Sequence, residues 1–239
     1  MEIIKTSSND FASISANLVA QKIISLQKEL NRPVNVVLAT GRTMIDFLDQ
    51  LSRSNINWSL VNFFHLDEYK SLPPQNSSSF AYFLTQNFFS KIQIPQQNIN
   101  FINGESPDLA GYINKLHSLG GADITMLGIG LDGHLAFNEP PFHSSFTSRI
   151  GEVCLNQSTI ETNQIDYPQI TQNPFAYTMG MADIFESKYI YFLAKGSSKS
   201  SIISQSLQGE VSSDIPASML QLHQNVTAVL DFDAALLLK

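Results

Sequence analysis

The sequence predicts an α/β fold, a Rossmann-like and mostly parallel sheet with helices on both faces. Three observations carry this expectation. Short apolar runs rich in β-branched residues recur along the 239-residue chain, stretches of helical period separate them, and no repeat, charge block or low-complexity linker interrupts the pattern. Strands spaced by helices imply parallel pairing with both sheet faces covered. Residues 1–239 are therefore expected to form one domain.

The elements follow in order. Phe11 to Leu30 reads as an amphipathic helix, with Ile14, Leu18, Ile23, Ile24 and Leu26 turned inward and Asn9 or Asp10 as its cap. Val34 to Ala39 is a strand ending in Thr40-Gly41, and a helix starts near Thr43. Leu60 to Leu66 is the next strand. A helix from Ser79 to Ile92 carries Phe80, Phe83, Leu84, Phe88 and Phe89. Ile99 to Ile102 reads as a short strand, Asp108 to Leu119 as a helix, and Asp123 to Leu127 as a buried strand. Tyr189 to Ala194 (strand), Lys199 to Gln208 (helix) and Val226 to Leu230 (strand) complete the alternation. Sheets of this kind bind ligands beyond the C-terminal ends of their strands. The chemistry is thus expected in Thr40–Thr43, His65–Tyr69, Gly128–Glu139 and Lys195–Lys199.

Composition narrows the partners. The chain has 14 basic and 21 acidic residues, a formal net charge of −7, which argues against nonspecific binding to nucleic acid or anionic membranes. It does not exclude an anionic small molecule, because local charge can outweigh the global sign. The single cysteine, Cys154, allows no intrachain disulfide and no thiolate-rich metal site, and is expected to be a buried, inert thiol. The N-terminal residues lack the pattern of a signal peptide, and no apolar run approaches the roughly 20 residues of a membrane span. A reducing cytoplasm is the expected setting.

The most informative run is Leu127-Gly-Ile-Gly-Leu-Asp132-Gly-His134-Leu-Ala-Phe-Asn-Glu139-Pro140. Its glycines let the backbone turn sharply and approach a ligand. Asp132 and His134 lie two apart, so in an extended segment they share one side. A carboxylate beside an imidazole fixes its tautomer and raises its basicity, giving an acid/base suited to neutral pH. Glu139, extended before Pro140, can add a second carboxylate. The same residues are compatible with a plain turn, and less well with a metal site, which lacks a second histidine at helical spacing. Gly128-x-Gly130-x-x-Gly133 matches a dinucleotide fingerprint only formally, because Glu139-Pro140-Pro141 breaks any following helix.

Phe63-Phe-His65-Leu-Asp67-Glu68-Tyr69 places two adjacent acids at the end of an apolar strand. One can face the crevice while its neighbour faces away, and a partly buried carboxylate there can take a proton beside a carbonyl. Solvated caps are the competing reading, and His65 is expected to pack at the strand end. Thr40-Gly41-Arg42-Thr43 opens a helix, whose N-terminal amides and hydroxyls suit a phosphate, with Arg42 adding a charged contact. Lys195-Gly-Ser-Ser-Lys199 repeats the design on the same sheet edge. It is no P-loop, since the earlier glycine is missing.

Together these motifs, with Ser218-Met-Leu-Gln-Leu-His223 and the Asn87-Phe-Phe and Ile94-Pro95 stretches, resemble the glucosamine-6-phosphate deaminase family over essentially the whole chain. The related 6-phosphogluconolactonases share the Asp-Gly-His core without the Ala136-to-Pro140 continuation found here. The resemblance implies conversion of glucosamine 6-phosphate and water to fructose 6-phosphate and ammonia, without metal or organic cofactor. It implies ring opening by His134, charged and oriented by Asp132 and Glu139, and proton transfer from C2 to C1 by Asp67 through an enolamine. Thr40, Gly41, Arg42, Thr43 and Lys199 would hold the phosphate.

Departures from the family pattern are informative. Asn163 stands where the family has a phosphate-binding arginine, and Arg42 is expected to compensate. Of a basic pair that binds an effector in allosteric members, Arg149 matches and Gly151 replaces a lysine. No activation by N-acetylglucosamine 6-phosphate is therefore expected. Galactosamine-6-phosphate isomerase, 6-phosphogluconolactonase and a noncatalytic sugar-phosphate sensor are the alternatives, and the partner is in each case a small sugar phosphate, with a monomer or homo-oligomer binding it. A sensor is expected to bring a DNA-binding segment, which the chain does not display.

Overall fold

Val34–Leu38 buries every side chain, as a strand covered on both faces must. Its one polar member, Asn35, is satisfied internally: its amide donates to the carbonyls of Leu119 and Gly121 and accepts from Asn62. The structure is a computed structural model that describes residues 1–140, 145–168 and 173–239.

Six strands form the main sheet: β1 (Glu2–Thr6), β2 (Val34–Leu38), β3 (Val61–His65), β5 (Ile124–Leu127), β8 (Tyr189–Ala194) and β9 (Val226–Asp231). Their order is β1-β9-β8-β5-β2-β3, and every pair is parallel. The α/β class and parallel sheet are as the sequence indicates. A second sheet holds β4 (Asp67–Tyr69), β7 (Phe175–Thr178) and β6 (Gly151–Cys154), paired antiparallel in that order. It hangs from the first through Leu66, which donates to Leu38 and accepts from Met179.

The crossovers explain where a ligand can sit. From β1 through α1 (Phe11–Glu29) to β2, and through α2 (Arg42–Ser52) to β3, the chain moves toward one edge. From β3 it turns back to β5, β8 and β9, by way of α3 (Phe80–Asn87), α4 (Leu109–Ser118), α5 (Gln157–Asn163), α6 (Met181–Phe185) and α7 (Ser200–Gln208). Right-handed crossovers then put α1 and α2 on one face and the returning helices of the main sheet on the other. The direction reverses between β2 and β5, so a crevice opens beyond their C-terminal ends. The loops there are Ala39–Gly41 and Gly128–Pro140.

Several sequence expectations change. Ile99–Ile102 is no strand; only Ile99 makes a single bridge, to Phe63. The helix expected to reach Ile92 stops at Asn87, where Phe88 leaves helical geometry (φ −138°, ψ −62°). That break lets both Phe88 and Phe89 pack edge-on against Phe63, with ring centroids 5.4 and 5.3 Å away. Cys154 is exposed, not buried. It lies on β6, where Val153 takes the inward position and strand alternation turns its neighbours outward. Asp10 does precede α1, without a side-chain cap; the Ser7 hydroxyl accepts its N–H instead. Ile23 and Leu26 are buried, and Ile14, Leu18 and Ile24 partly so. Pro141 lies outside the described residues. Among those residues no helix is long and apolar enough to cross a membrane.

Candidate active site

Strand β5 ends at Leu127, and the next residues fold back on themselves. Gly130 donates to the carbonyl of His134, Gly133 donates to that of Gly130, and Asn138 donates to that of Leu135. Ala136 takes the left-handed conformation (φ 52°), which an L-residue adopts only under constraint. The constraint is visible: Phe137 N–H donates to the Thr178 hydroxyl, and the Asn138 amide donates to the carbonyls of Leu135 and Met179. The loop is thereby pinned to β7 and its exit.

This loop brings Asp132, His134 and Glu139 together. His134 Nδ1 stands 2.7 Å from Asp132 Oδ1, off the N–H axis, and 3.8 Å from Glu139 Oε1. Asp132 also accepts the His134 backbone N–H. Burial pushes the Asp132 carboxyl up, but its contacts with His134 outweigh this and hold it below the usual carboxylate range. Glu139 is buried, and its other oxygen accepts the Asn156 N–H at 2.6 Å. The imidazole rests against the bare face of Gly130, where a Cβ would fall 2.6 Å from Nε2.

The acids of β4 separate as strand alternation dictates. Asp67 lines the central cavity and accepts no hydrogen bond among the described residues, though only 6% of it is exposed. Burial, and then the charge of Glu68, raise its carboxyl well above the ordinary range. Glu68 turns away into the protein and accepts the backbone N–H groups of Tyr69, Phe80 and Ala81, capping α3. It is a cap, as one reading of the sequence held, but a buried one. Burial still pushes it up to about 7. His65 is fully buried and packs edge-on against Phe101; burial takes its imidazole down to about 3, so it stays neutral.

A raised carboxyl binds its proton more tightly in the folded chain than in the unfolded one. Stability from Glu68 is therefore full below the ordinary glutamate range and is lost as pH rises through about 7. The loss amounts to as much as roughly 3 kcal/mol. Thermal melts between pH 5 and pH 8 should show this decline in the native protein and a shallower one in Glu68→Gln, which starts lower because the α3 cap is impaired.

A cavity of about 670 Å³ connects these groups, within the range typical of small-molecule sites. One end holds His134, Asp132 and Asp67. Thr40, Gly41, Arg42, Thr43 and Lys199 all line the cavity too. Gly41 has φ 103°, a conformation that favours glycine, and turns the chain into α2. Lys199 donates to the Ile129 carbonyl at 2.7 Å; burial draws its ammonium below the usual lysine range while Asp132 opposes this. Arg42 makes a two-pronged pair with Asp166, at 2.8 and 3.1 Å. All the sequence-derived residues but Glu139 thus line one cavity; Glu139 is buried beside His134, and Arg42 is engaged by an acid that sequence reasoning did not single out.

Of a further stretch of wall, sequence reasoning had singled out only Asn163. Thr159, Thr162 and Asn163 come from α5, and Asp166 and Tyr167 from the turn after it. Thr159, Thr162 and Asn163 share a helix face by their spacing, which is the one signal the sequence offered. Asn163 donates to the Tyr69 hydroxyl, and Tyr167 packs between Tyr69 and Phe80. Residues 169–172, beyond this turn, lie outside the described residues. Arg149 is paired with Asp183 at 3.0 Å and with Glu186 at 2.6 Å. Among the described residues no three His, Cys, Asp or Glu side chains are grouped as metal ligands.

Residues 6–229 match the family of glucosamine-6-phosphate isomerases and 6-phosphogluconolactonases. A glucosamine-6-phosphate deaminase of Clostridium acetobutylicum is 37% identical, over 96% of this chain and 98% of its own. One of Pseudoalteromonas translucida is 36% identical, over 94% of this chain and 85% of its own. Among solved structures, a monomeric glucosamine-6-phosphate deaminase superposes with a TM-score of 0.91 at 34% identity, covering 99% of this chain and all of its own (100%). A 6-phosphogluconolactonase of Thermotoga maritima shares the fold, with a TM-score of 0.77 at 20% identity.

Proposed function

The chain belongs to the family of glucosamine-6-phosphate isomerases and 6-phosphogluconolactonases, and from that premise we propose how its site deaminates an aminosugar phosphate. It is an enzyme of the glucosamine-6-phosphate deaminase kind, converting glucosamine 6-phosphate and water to fructose 6-phosphate and ammonia. One observation carries the reading: the acid/base pair His134–Asp132 and the unpaired, buried Asp67 open onto the same cavity.

The steps follow from the groups. His134 moves a proton between the C1 hydroxyl and the ring oxygen, opening the pyranose to an aldehyde. Asp132 and Glu139 stabilise the imidazolium formed on the way. Asp67 takes the proton from C2 while the aldehyde oxygen takes one from solvent, giving an enolamine. Asp67 then returns its proton to C1, leaving an imine at C2. Water adds to C2 and ammonia departs, so atoms balance. A buried carboxylate of raised basicity suits the C2 proton, and an imidazole–carboxylate pair suits oxygen.

The phosphate is placed on the Thr40–Thr43 amides and hydroxyls at the start of α2, with Arg42 and Lys199 supplying charge. The scheme calls on no metal, organic cofactor, nucleic acid or membrane. A phosphorylated substrate and a chain with one cysteine suit a reducing, cytoplasmic setting. The monomeric state of the structural relative is the one we extend to this chain. Arg149, held by two acids and lacking a basic neighbour at Gly151, gives no ready seat for an effector phosphate.

The test is ammonia release from glucosamine 6-phosphate, with galactosamine 6-phosphate and 6-phosphogluconolactone run alongside, the lactone followed by acid production. Ammonia dependent on glucosamine 6-phosphate supports the reading. Acid from the lactone without ammonia from either aminosugar overturns it.

A further inference from the structure

Arg42 and Asp166 meet across the cavity mouth from two different elements. Arg42 opens α2, and Asp166 lies in the turn after α5. The backbone that carries the carboxylate is anchored. The Asp166 N–H donates to the Asn163 carbonyl, and the next residue, Tyr167, is buried against Tyr69 and Phe80. Among the described residues the guanidinium is held only by the pair itself, with two-thirds of its side chain (66%) exposed. Both residues also line a second cavity of about 430 Å³, whose walls include Ile45, Tyr82, Phe83 and Gln86. The pair is thus a partition with open space on either side, and the arginine can swing without displacing packed neighbours.

We infer that Asp166 is a built-in competitor for the substrate phosphate and thereby a specificity-determining residue. In the empty protein its carboxylate takes the two donors that Arg42 would offer, and an incoming phosphate must displace it. This inference rests on the phosphate placement given above. A phosphate monoester carries close to two negative charges above pH 6–7 and three acceptor oxygens, so it outbids a single carboxylate for a planar guanidinium. A neutral sugar offers Arg42 only uncharged hydroxyl acceptors, weaker than the carboxylate, and leaves the partition in place. The exposed pair is weak enough to be broken by such a ligand. Asp166 therefore costs the enzyme affinity and gives it a requirement for a strongly anionic group.

The test is direct binding by calorimetry at pH 8, with inorganic phosphate and with fructose 6-phosphate, on the native protein, Asp166→Asn, Arg42→Ala and the double variant. Asp166→Asn should tighten both ligands about fivefold, the upper worth of an exposed pair. In the Arg42→Ala background the same change should give no more than about twofold, from relief of repulsion alone. Asp166→Glu, which keeps the competing carboxylate, should stay near the native value. In turnover, KM should fall in Asp166→Asn with kcat unchanged. A gain in the Arg42→Ala background equal to or larger than that in the native one overturns the inference, because repulsion without competition predicts it. So does failure of both ligands to bind. Because binding is read without turnover, a protein that shows the coupling but releases no ammonia refutes the proposed reaction and leaves the role of Asp166 standing.

Discussion

Asp67→Asn is expected to lower kcat for ammonia release by roughly 10²–10⁴-fold, the usual contribution of a positioned general base. The amide keeps the size of the side chain and loses its basicity. Asp67 has no hydrogen-bond partner among the described residues whose loss would confuse the result. Binding of fructose 6-phosphate should change little, and exchange of the C2 hydrogen with solvent should disappear together with turnover. A variant that keeps more than a tenth of native kcat would show that some other group moves the C2 proton. The pH profile carries a matching sign. Burial first, and the neighbouring Glu68 charge second, raise the Asp67 carboxyl. It is protonated and idle below its own pKa, so activity should rise with pH along a limb above the ordinary carboxylate range near pH 3.9. Folding stability runs the opposite way across the same interval, since the folded chain holds the proton more tightly.

Gly130→Ala is expected to lower kcat by about 10²-fold, the effect of displacing a catalytic group by about an ångström. The backbone of Gly130 does not lie in the left-handed region, so alanine brings no conformational strain. The added methyl would instead occupy the place of the His134 ring, 2.6 Å from its Nε2. The ring must move, and with it the Nδ1 that stands 2.7 Å from Asp132. The defect should lie in kcat, with the KM and the melting temperature close to native. A fall in stability with kcat preserved would mean that the loop yields and the histidine does not.

Much of this site was legible in the sequence because each part sits directly after a strand. Apolar runs such as Val34–Leu38 fix their ends sharply, and residues beyond those ends have few places to go. The spacing of Asp132 and His134 allowed them to share one side but left a plain turn equally open, and the family resemblance tipped that balance. What escaped was held by nonlocal packing. β1 has mixed exposure at the sheet edge, and β4, β6 and β7 are three or four residues each, too short for a periodicity to show. The role of Glu68 depends on the amides of Phe80 and Ala81, which no local pattern links to it. Asp166 meets Arg42 only because α5 folds across the cavity. The stop of α3 and the outward turn of Cys154 likewise answer to neighbours distant in sequence.

The pairing of the first strand with the last has a kinetic meaning. β1 touches no strand of the main sheet but β9, over the register Glu2↔Thr227 to Thr6↔Asp231, and the Ser8 hydroxyl donates to Asp231 beside that seam. β1 thus finds no partner in this sheet until β9 has been made. Such high contact order slows folding, because the entropy of closing the largest loop is spent before any of that pairing is gained. Once closed, the seam holds two segments far apart in sequence at one edge of the sheet. Opening the sheet from that edge then means parting β1 from β9 along their whole register, which favours a single cooperative step over gradual loss of the edge.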